Sequence, residues 1–448
     1  MSFAPHTEPE IQSMLQTLGL GALDDLFSEI PKSLQINHLN IPEASSELNV
    51  SKLLQKRAQK DQYKLNFLGF GAYQHYIPAA VWELAGRGEF LTAYTPYQPE
   101  ASQGTLQLLY EYQSMMTQLM HMNVSNASLY DGASALAEAV LMALRLDKKE
   151  ERQAVLIPQS LHPWYLETVQ TLTQGLNIQI EMLPFDPKTG QIDLGIASDQ
   201  LKTQAYAALV LPWPNVFGIL EPIHELTNLA HAQGTKIIAC VNPMMVAWLS
   251  PPGSWGETGA DFACGDGQVF GAPLASGGPY FGFLCCKQEY IRQLPGRLVG
   301  RTVDLEGKTG FTLTLQAREQ HIRRAKANSN ICTNQGLLVT AATIYLSLMG
   351  SQGLIEVAQQ SHANLEYLKS ILQQRPYFKD AVCFHECLFQ FEVPVEKILK
   401  ILSKQGIQAG VQHPLFPENT LLICTTEMHS KEELDRFAIS INTAMEHI

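Results

Sequence analysis

The stretch GADFACGDGQVFGAPLASGGPYFGF, residues 259–283, says most about the fold of this chain. It begins with a short apolar run typical of a β-strand, continues through a glycine-rich loop and ends in a second apolar run. The whole stretch contains no lysine, and the nearest lysines are Lys236 and Lys287. It therefore predicts a strand–loop–strand unit that carries no side-chain amine.

Strand-like and helix-like segments alternate around this stretch. Strands are predicted at residues 154–158, 178–183, 207–211, 236–241, 261–264 and 280–286. Helices are predicted between them at residues 164–173, 192–203 and 223–233. The alternation predicts a mostly parallel α/β sheet that helices cover on both faces.

The chain has 448 residues, more than the roughly 250–300 residues of a domain with a single core. Residues 1–65 contain short amphipathic pieces interrupted by glycine and proline, and we expect them to form an arm. Residues 66–315 are predicted to form the large α/β domain, in which residues 307–309 belong to a polar loop. Residues 316–448 are predicted to form a small α+β domain, with helices at 334–349, 354–374 and 431–446 and strand-like runs at 381–393, 408–411 and 421–425.

The charge balance limits the classes of partner. The net charge is −12 and the only basic cluster is residues 318–326, which argues against nucleic acid or an anionic membrane as partner. The N-terminus lacks the basic segment and the apolar core of a signal peptide. No apolar run approaches the roughly 20 residues that span a bilayer. We therefore expect a soluble, cytoplasmic protein.

Eight cysteines are present, and none forms a CxxC pair, which argues against a zinc ribbon or a thioredoxin-like site. Several lie inside strand-like apolar runs, where a reduced cysteine behaves as a small hydrophobic residue. Cys332 is likewise expected to be buried. The pattern Cys383-Phe-His385-Glu-Cys387 is better explained by the alternation of a strand than by metal ligation, so we predict no metal site.

The predicted order of elements resembles the pyridoxal-phosphate-dependent transferases of fold type I, the aspartate-aminotransferase-like class. In that class, a strand and loop like residues 259–283 carry the lysine that forms the Schiff base. Gln268 lies about where that lysine would be, and glutamine cannot form an aldimine. Asn242 lies about where such enzymes carry an aspartate for the pyridine nitrogen, and a neutral amide cannot stabilise a pyridinium by charge.

Two further positions bear on a cofactor. Asp131 precedes a predicted helix, at the kind of N-terminus where fold type I enzymes hold the cofactor phosphate. Its carboxylate would repel a phosphate, so N-capping, which contributes about 1 kcal/mol, is favoured while both roles stay open. His162 either stacks on a cofactor ring or is a structural loop residue. Together, Gln268, Asn242 and Asp131 predict a chain without a working cofactor of its own.

Longer motifs resemble the glycine decarboxylase family, the P-proteins of the glycine cleavage system. More narrowly, the chain is similar to subunit 1 of the two-chain form, which corresponds to the N-terminal half of the fused enzyme. The motifs that carry the resemblance are TPYQPE at 95–100, YDGA at 130–133, GDGQ at 265–268, GGP at 277–279, GRTVD at 300–304, GKTGF at 307–311, LTLQAREQH at 313–321 and SNICTN at 329–334.

The resemblance implies an aminomethyl-transferring, decarboxylating glycine dehydrogenase that is active only as a complex. Glycine would lose carbon dioxide on pyridoxal phosphate, and the aminomethyl group would pass to the lipoylated H-protein. It also implies that the cofactor is bound to subunit 2, that no cofactor is bound covalently to this chain, and that the assembly is an (αβ)2 heterotetramer. Without subunit 2, the chain could form a homodimer.

The resemblance also directs attention to a proline-punctuated loop. Tyr94, Thr95, Pro96, Tyr97 and Gln98 either shape the partner's active site or simply pack at the interface. Two other functions stay open. The chain could be a self-sufficient pyridoxal-phosphate transferase that uses Lys287 or Lys326, or a structural scaffold with no residue in the active site.

Overall fold

The computed structural model describes residues 5–36, 38–147 and 153–448. It divides into two compact units, the first ending at Gln62 and the second spanning Tyr63–Ile448. The first unit contains helices α1 (Glu8–Leu18) and α2 (Glu47–Ala58). Helix α1 ends at Gly19, whose φ of 71° suits glycine. The second unit is compact as a whole, and the predicted division between residues 315 and 316 stays a prediction.

The second unit contains twelve further α-helices and thirteen strands among its described residues. The helices are α3 (Ala79–Ala85), α4 (Gly88–Leu91), α5 (Gln103–Met120), α6 (Gly132–Arg145), α7 (Pro163–Thr173), α8 (Leu194–Thr203), α9 (Ile223–Ala232), α10 (Pro243–Val246), α11 (Gln320–Arg323), α12 (Gly336–Ile371), α13 (Val395–Lys404) and α14 (Lys431–Glu446). The strands are β1 (Leu65–Asn66), β2 (Val124–Ser125), β3 (Ala154–Pro158), β4 (Gln179–Leu183), β5 (Tyr206–Trp213), β6 (Lys236–Val241), β7 (Phe262–Asp266), β8 (Gly282–Cys286), β9 (Val299–Val303), β10 (Thr309–Leu313), β11 (Glu386–Gln390), β12 (Ile407–Gln408) and β13 (Thr420–Cys424).

The central sheet has seven strands in the order β2-β8-β7-β6-β5-β3-β4. Strand β8 is antiparallel to both neighbours, and the other pairings are parallel. All six predicted strands are present, with ends that differ by at most two residues from the prediction. The predicted parallel α/β sheet is therefore confirmed.

Alternating burial explains why the sheet lies between two helical layers. In β3, Leu156 packs into one apolar cluster, whereas Val155 and Ile157 pack into the cluster on the opposite face. In β5, Leu209 and Val210 divide in the same way. Successive side chains of a strand point to opposite faces, so a strand that is apolar throughout must be covered on both sides.

A third apolar cluster joins the C-terminal elements to the segment around β1. Strands β11 and β13 pair antiparallel, and β1 pairs in parallel with β12. The ring of Phe67 stacks on Phe437 with a centroid distance of 3.7 Å. Helix α13, which was not predicted, buries Val395, Ile398 and Leu402 on one face, as a short amphipathic helix does.

Helix α12 serves two of these clusters because its backbone breaks at Gly350, where φ is 59° and ψ is −177°. Val339 lies in the cluster beside the sheet, and Leu365 lies in the C-terminal cluster. By length and composition α12 could cross a membrane, which corrects the expectation that no apolar run approaches that length. Weakly polar residues such as Thr343 interrupt the run without adding charge. Half of its most apolar window is buried in the protein.

Residues 299–313 form a hairpin that the sequence analysis missed. Strands β9 and β10 pair antiparallel, with Val303 opposite Thr309. The intervening turn is fixed by Asp304, whose Oδ1 accepts hydrogen bonds from the backbone N–H groups of Glu306 and Lys308 at 3.0 and 2.7 Å. The predicted polar loop at 307–309 is thus the turn of this hairpin and the first residue of β10.

Candidate functional site

A narrow cavity lies at the carboxyl ends of β5, β6 and β7, where open α/β sheets place their ligands. It brings together three predicted site residues, His162, Asn242 and Gln268. Its volume is about 90 Å³, well below the roughly 300–1,000 Å³ of pockets for small-molecule ligands. We call this cavity and its lining the inner pocket.

Gln268 uses its whole amide inside the protein. Its Oε1 accepts a hydrogen bond from the backbone N–H of Tyr73 at 2.9 Å. Its Nε2 donates to the carbonyl oxygens of Tyr73 and Ala272, each at 2.9 Å. The side chain is buried. At the position predicted for a Schiff-base lysine, this residue therefore fastens the loop around Tyr73 to the strand–loop unit.

Glu386 and Tyr73 extend this network, and sequence reasoning missed both. Glu386 Oε1 accepts from the backbone N–H of Phe70 at 2.6 Å, and its Oε2 accepts from the Tyr73 hydroxyl at 2.8 Å. Burial raises the pKa of Glu386 to about 7, although both hydrogen bonds favour the carboxylate. The glycine at position 69 was the local sign of this contact in the sequence. A Cβ there would lie 2.1 Å from Glu386 Oε1, so a larger residue would collide with the carboxylate.

Two carboxylates occupy the N-terminus of α6. Asp131 is its N-cap, and Asp131 Oδ1 accepts from the backbone N–H of Ser134 at 2.7 Å. The backbone N–H of Gly132 donates to Asp266 Oδ2 at 3.0 Å. Burial raises the pKa of Asp266 to about 7, and the charge of Asp131 adds to the effect. Two backbone donors of this helix N-terminus, those of Gly132 and Ser134, are thus taken by the chain's own carboxylates.

Asn242 is the N-cap of α10 and contacts a buried histidine. Its Oδ1 accepts from the backbone N–H of Met244 at 3.0 Å, and its Nδ2 lies 3.3 Å from His385 Nε2. Burial, followed by the nearby His75, holds the pKa of His385 well below its usual range. His385 is therefore neutral, and Asn242 acts as a hydrogen-bond donor to it.

His162 is the N-cap of α7. Its Nδ1 accepts from the backbone N–H of Trp164 at 3.3 Å, so the proton is on Nε2, which donates to the carbonyl of Phe70 at 3.1 Å. Burial lowers the pKa of His162 to about 4. The ring of Phe70 lies against the imidazole with a centroid distance of 4.1 Å. The contacts of His162 are therefore those of a structural residue.

The loop Tyr94–Gln98 does not line the inner pocket. Tyr94 is 83% exposed and Tyr97 is 47% exposed, whereas Pro96 is buried. The backbone N–H of Tyr97 donates to the carbonyl of Thr95 at 2.9 Å, which gives the loop a tight local bend. The structure therefore separates the predicted site residues into an internal group and an exposed group.

Arg297 lies behind this loop, and the sequence analysis did not identify it as a site residue. Its Nη2 lies 3.4 Å from the Tyr97 hydroxyl, and its guanidinium carbon lies 5.6 Å from the centre of the Tyr97 ring. His321 approaches the same ring edge-on, with a centroid distance of 5.5 Å. Nothing in the local sequence shows that an arginine 200 residues away would support Tyr97.

The cysteines follow the prediction with one exception. Six are buried and Cys240 is partly buried, but Cys332 is exposed, which corrects the expectation of a buried thiol. The backbone explains the difference, because the N–H of Cys332 donates to the Tyr130 hydroxyl and its carbonyl accepts from Arg297, which fixes the main chain and leaves the thiol outside.

Comparison with known proteins identifies the family. The model of the glycine cleavage system P-protein family matches residues 1–440. The chain belongs to this P-protein family. Among curated P-protein relatives, the probable glycine dehydrogenase (decarboxylating) subunit 1 of Nitrosomonas europaea is 52% identical over 99% of both chains. That of Methylococcus capsulatus is 52% identical over the full length of both.

Solved structures agree with the P-protein assignment. A crystal structure of glycine decarboxylase (P-protein) of the glycine cleavage system, in inhibitor-bound form, is 39% identical with a TM-score of 0.88 and covers 99% of this chain and 100% of that one. An aspartate aminotransferase from Thermus thermophilus, 16% identical with a TM-score of 0.57 and covering 86% of this chain and 100% of that one, shares the fold alone. The predicted family, the fold type I class and the assignment as a glycine cleavage system subunit are confirmed.

Pyridoxal phosphate, the cofactor of this fold class, does not fit the inner pocket of this P-protein chain. The lysine position is Gln268, whose hydrogen bonds are all used. Asp131 and Asp266 take two of the helix N–H groups that could meet a phosphate, and their carboxylates would repel it. The cavity is too small for an aromatic ring with a phosphate group. We therefore assign no cofactor step to these residues.

Proposed function

We propose that this chain is subunit 1 of a two-chain glycine dehydrogenase (decarboxylating). In this proposal it completes the active site of subunit 2, which carries pyridoxal phosphate, decarboxylates glycine and transfers the aminomethyl group to lipoylated H-protein. The observation that carries the proposal is the division between a saturated inner pocket and the exposed loop Tyr94–Gln98.

The role of subunit 1 follows from that loop. Proline at 96 limits the backbone freedom of the loop, so its two tyrosines can shape a neighbouring site at a low entropic cost. Tyr94 and Tyr97 each combine an apolar ring, which excludes water, with a hydroxyl that can orient a polar ligand. Because both side chains are exposed, a partner's active site is where these properties would be used.

The assembly is proposed to be an (αβ)2 heterotetramer in the cytoplasm, with a homodimer of this chain in the absence of subunit 2. The homologous folds of the two subunits would allow one interface to replace the other. A monomeric mass for the isolated chain in analytical ultracentrifugation would contradict the homodimer without affecting the heterotetramer.

The self-sufficient alternative finds little support at its candidate lysines. Lys287 Nζ lies 3.3 Å from Asp261 Oδ1 in an ion pair, and Lys287 does not line the inner pocket. Lys326 is exposed and also lies outside that lining. A lysine that forms an aldimine needs a neutral amine beside a bound cofactor, and neither position offers that environment.

The test is an absorbance titration with pyridoxal phosphate, carried out on the isolated chain and again after addition of subunit 2. We expect a borohydride-trappable aldimine only in the mixture, with the label on subunit 2. Glycine-dependent release of carbon dioxide should require both subunits and lipoylated H-protein. A stoichiometric aldimine on this chain alone would show that it is an enzyme in its own right.

A further inference from the structure

Arg297 is a buried cation that forms no ion pair with the residues that the structure describes. Its side chain is almost completely enclosed, with 2% of the residue exposed. Nη1 donates to Thr333 Oγ1 at 2.8 Å and to Asn334 Oδ1 at 3.0 Å. Nη2 donates to the carbonyl of Cys332 at 3.1 Å and to the Tyr97 hydroxyl at 3.4 Å. Nε has no partner among the described residues.

All four oxygens that accept these bonds are neutral. A guanidinium offers five N–H donors and remains charged at any physiological pH. Within the part of the chain that the structure describes, Arg297 forms no ion pair with a carboxylate. Burying a charge without a counter-ion is strongly unfavourable. Among the described residues, the charge of Arg297 is therefore held by neutral acceptors alone, and Nε remains without one.

Two other cations among the described residues, both of them partly buried, do have an anion nearby. Lys287 pairs with Asp261, and Arg145 lies close enough to Glu138 for the carboxylate to oppose the effect of burial on its pKa. Arg318 adds to the positive charge beside Arg297, because its Nη2 donates to the carbonyl of the adjacent Gly296 at 3.2 Å. Glu319, which follows Arg318 in sequence, offsets part of that charge.

Tyr97 connects Arg297 to the surface. Its oxygen accepts from Arg297, so its own O–H hydrogen is free to donate elsewhere, and the structure gives no acceptor for it among the described residues. The guanidinium polarises this hydroxyl and makes it a stronger donor. Because Tyr97 is about half exposed, its side chain lies at the surface of the chain, next to the buried guanidinium.

We propose that Arg297 and Tyr97 form an anion-binding corner, in which the Tyr97 hydroxyl contacts a small oxyanion in the partner's active site. Arg297 is the positioning residue: it supplies the charge and holds the tyrosine. This inference rests on the proposed function. Two oxyanions of the proposed reaction fit this chemistry, the carboxylate of glycine and the phosphate of the cofactor on subunit 2.

The test uses the assembled complex with Arg297→Gln, Arg297→Lys and Tyr97→Phe, and Arg87→Gln as an exposed arginine control. Spectroscopic titrations compare glycine with glycinamide, and pyridoxal phosphate with pyridoxal. In each pair only the first compound carries the oxyanion. The loss of one hydrogen bond to a charged group lowers the affinity by about 10- to 100-fold.

We expect Arg297→Gln to lower the affinity for one of the two oxyanion compounds by about 10- to 100-fold. The affinity for the analogue that lacks the oxyanion should fall by less than about threefold. Loss for glycine alone identifies the carboxylate, and loss for pyridoxal phosphate alone identifies the phosphate. Tyr97→Phe should weaken the same compound, and Arg297→Lys should recover part of the affinity because it keeps the charge. Arg87→Gln should change neither titration.

Equal changes for both members of each pair, or no change in either pair, would overturn the proposal. If Arg297→Gln does not assemble with subunit 2, Tyr97→Phe decides by the same comparison, since it deletes only the hydroxyl. Failure of the proposed function is distinguishable, because the wild-type chain would then not produce the aldimine on subunit 2.

Discussion

The inner pocket and the Arg297 corner differ in where their hydrogen bonds end. In the inner pocket, the amide of Gln268 and the carboxylate of Glu386 bond to groups of the same chain. In the corner, Arg297 forms no ion pair with the described residues, and the O–H of the half-exposed Tyr97 has no acceptor among them. The first region is complete as it stands, and the second needs a further molecule.

This difference separates stability from function within one fold. A polar group that is fully satisfied inside the chain contributes to the native state, and removing its partner leaves a buried group unpaired. A polar group that stays unsatisfied at the surface gains a partner only on binding. We therefore expect substitutions in the inner pocket to alter the unfolding of this chain, and substitutions in the corner to alter the complex.

The largest effect on the stability of the chain is expected for Gln268→Lys. The lysine leaves the backbone N–H of Tyr73 without its acceptor and buries an ammonium group in a space that an amide filled. We expect the free energy of unfolding to fall by about 3 kcal/mol or more. Urea unfolding followed by circular dichroism measures this, and no aldimine should form with pyridoxal phosphate.

Gln352→Lys is the matched control for this substitution. Gln352 is exposed, and its Nε2 donates to Glu356 at 3.0 Å, a contact that lysine can replace. We expect a change within about 0.5 kcal/mol. A stable Gln268→Lys chain that forms a stoichiometric aldimine would contradict the view that the inner pocket is complete within the chain. A single substitution would then be enough to turn it into a cofactor site.

A smaller effect is expected for Glu386→Gln, and it should depend on pH. The pKa of Glu386 rises from 4.5 to about 7 on folding because of burial. Between these values the native state binds more protons than the unfolded state. The contribution of Glu386 to stability is therefore fully present below about pH 4.5 and is lost as the pH rises through about 7.

Glu386→Gln removes this dependence because an amide does not titrate. Relative to the wild type, its free energy of unfolding should rise by about 2 kcal/mol between pH 5 and pH 8. Asp266 and Glu221, whose pKa values are also raised to about 7 by burial, contribute equally to both chains and cancel in the difference. The exposed Glu418→Gln should show no such divergence, and parallel pH profiles for Glu386→Gln would contradict the raised pKa.

The smallest effect on the isolated chain is expected for Tyr94→Ala. Because Tyr94 is 83% exposed, the free energy of unfolding should change by less than about 0.5 kcal/mol. In the complex with subunit 2, glycine turnover should fall by about tenfold through the loss of one ordered aromatic contact. Tyr76→Ala, at another exposed tyrosine, is the control, and equal turnover for wild type and Tyr94→Ala would favour the scaffold interpretation.

Local patterns in the sequence were sufficient for most of the fold. The strands of the central sheet are apolar throughout and lie between helical segments, so their existence and order could be predicted. Their ends could not, since the last residues, such as Trp213 in β5, are defined by pairing with a neighbouring strand. Helix α13 was missed although it is as long as α8 and α9, and its buried Val395, Ile398 and Leu402 have the spacing of an amphipathic helix.

The site was predictable only where the chemistry is local. Gln268 and Asn242 were found because each lies at the end of a predicted strand. Tyr73 and Glu386 are 313 residues apart, and neither shows alone that their side chains meet in the interior. The charge of Arg297 was visible in the sequence, but that no described carboxylate pairs with it is a property of its three-dimensional surroundings.

The saturated hydrogen bonds of the inner pocket also constrain how this chain can evolve. A lysine at position 268 would first destabilise the protein and would still face Asp131 and Asp266 at the helix N-terminus. Replacement of either aspartate alone would remove a helix contact without providing an amine. Each single step towards an independent enzyme is therefore disfavoured by selection for folding, and the proposed division of labour between this chain and subunit 2 would be difficult to reverse.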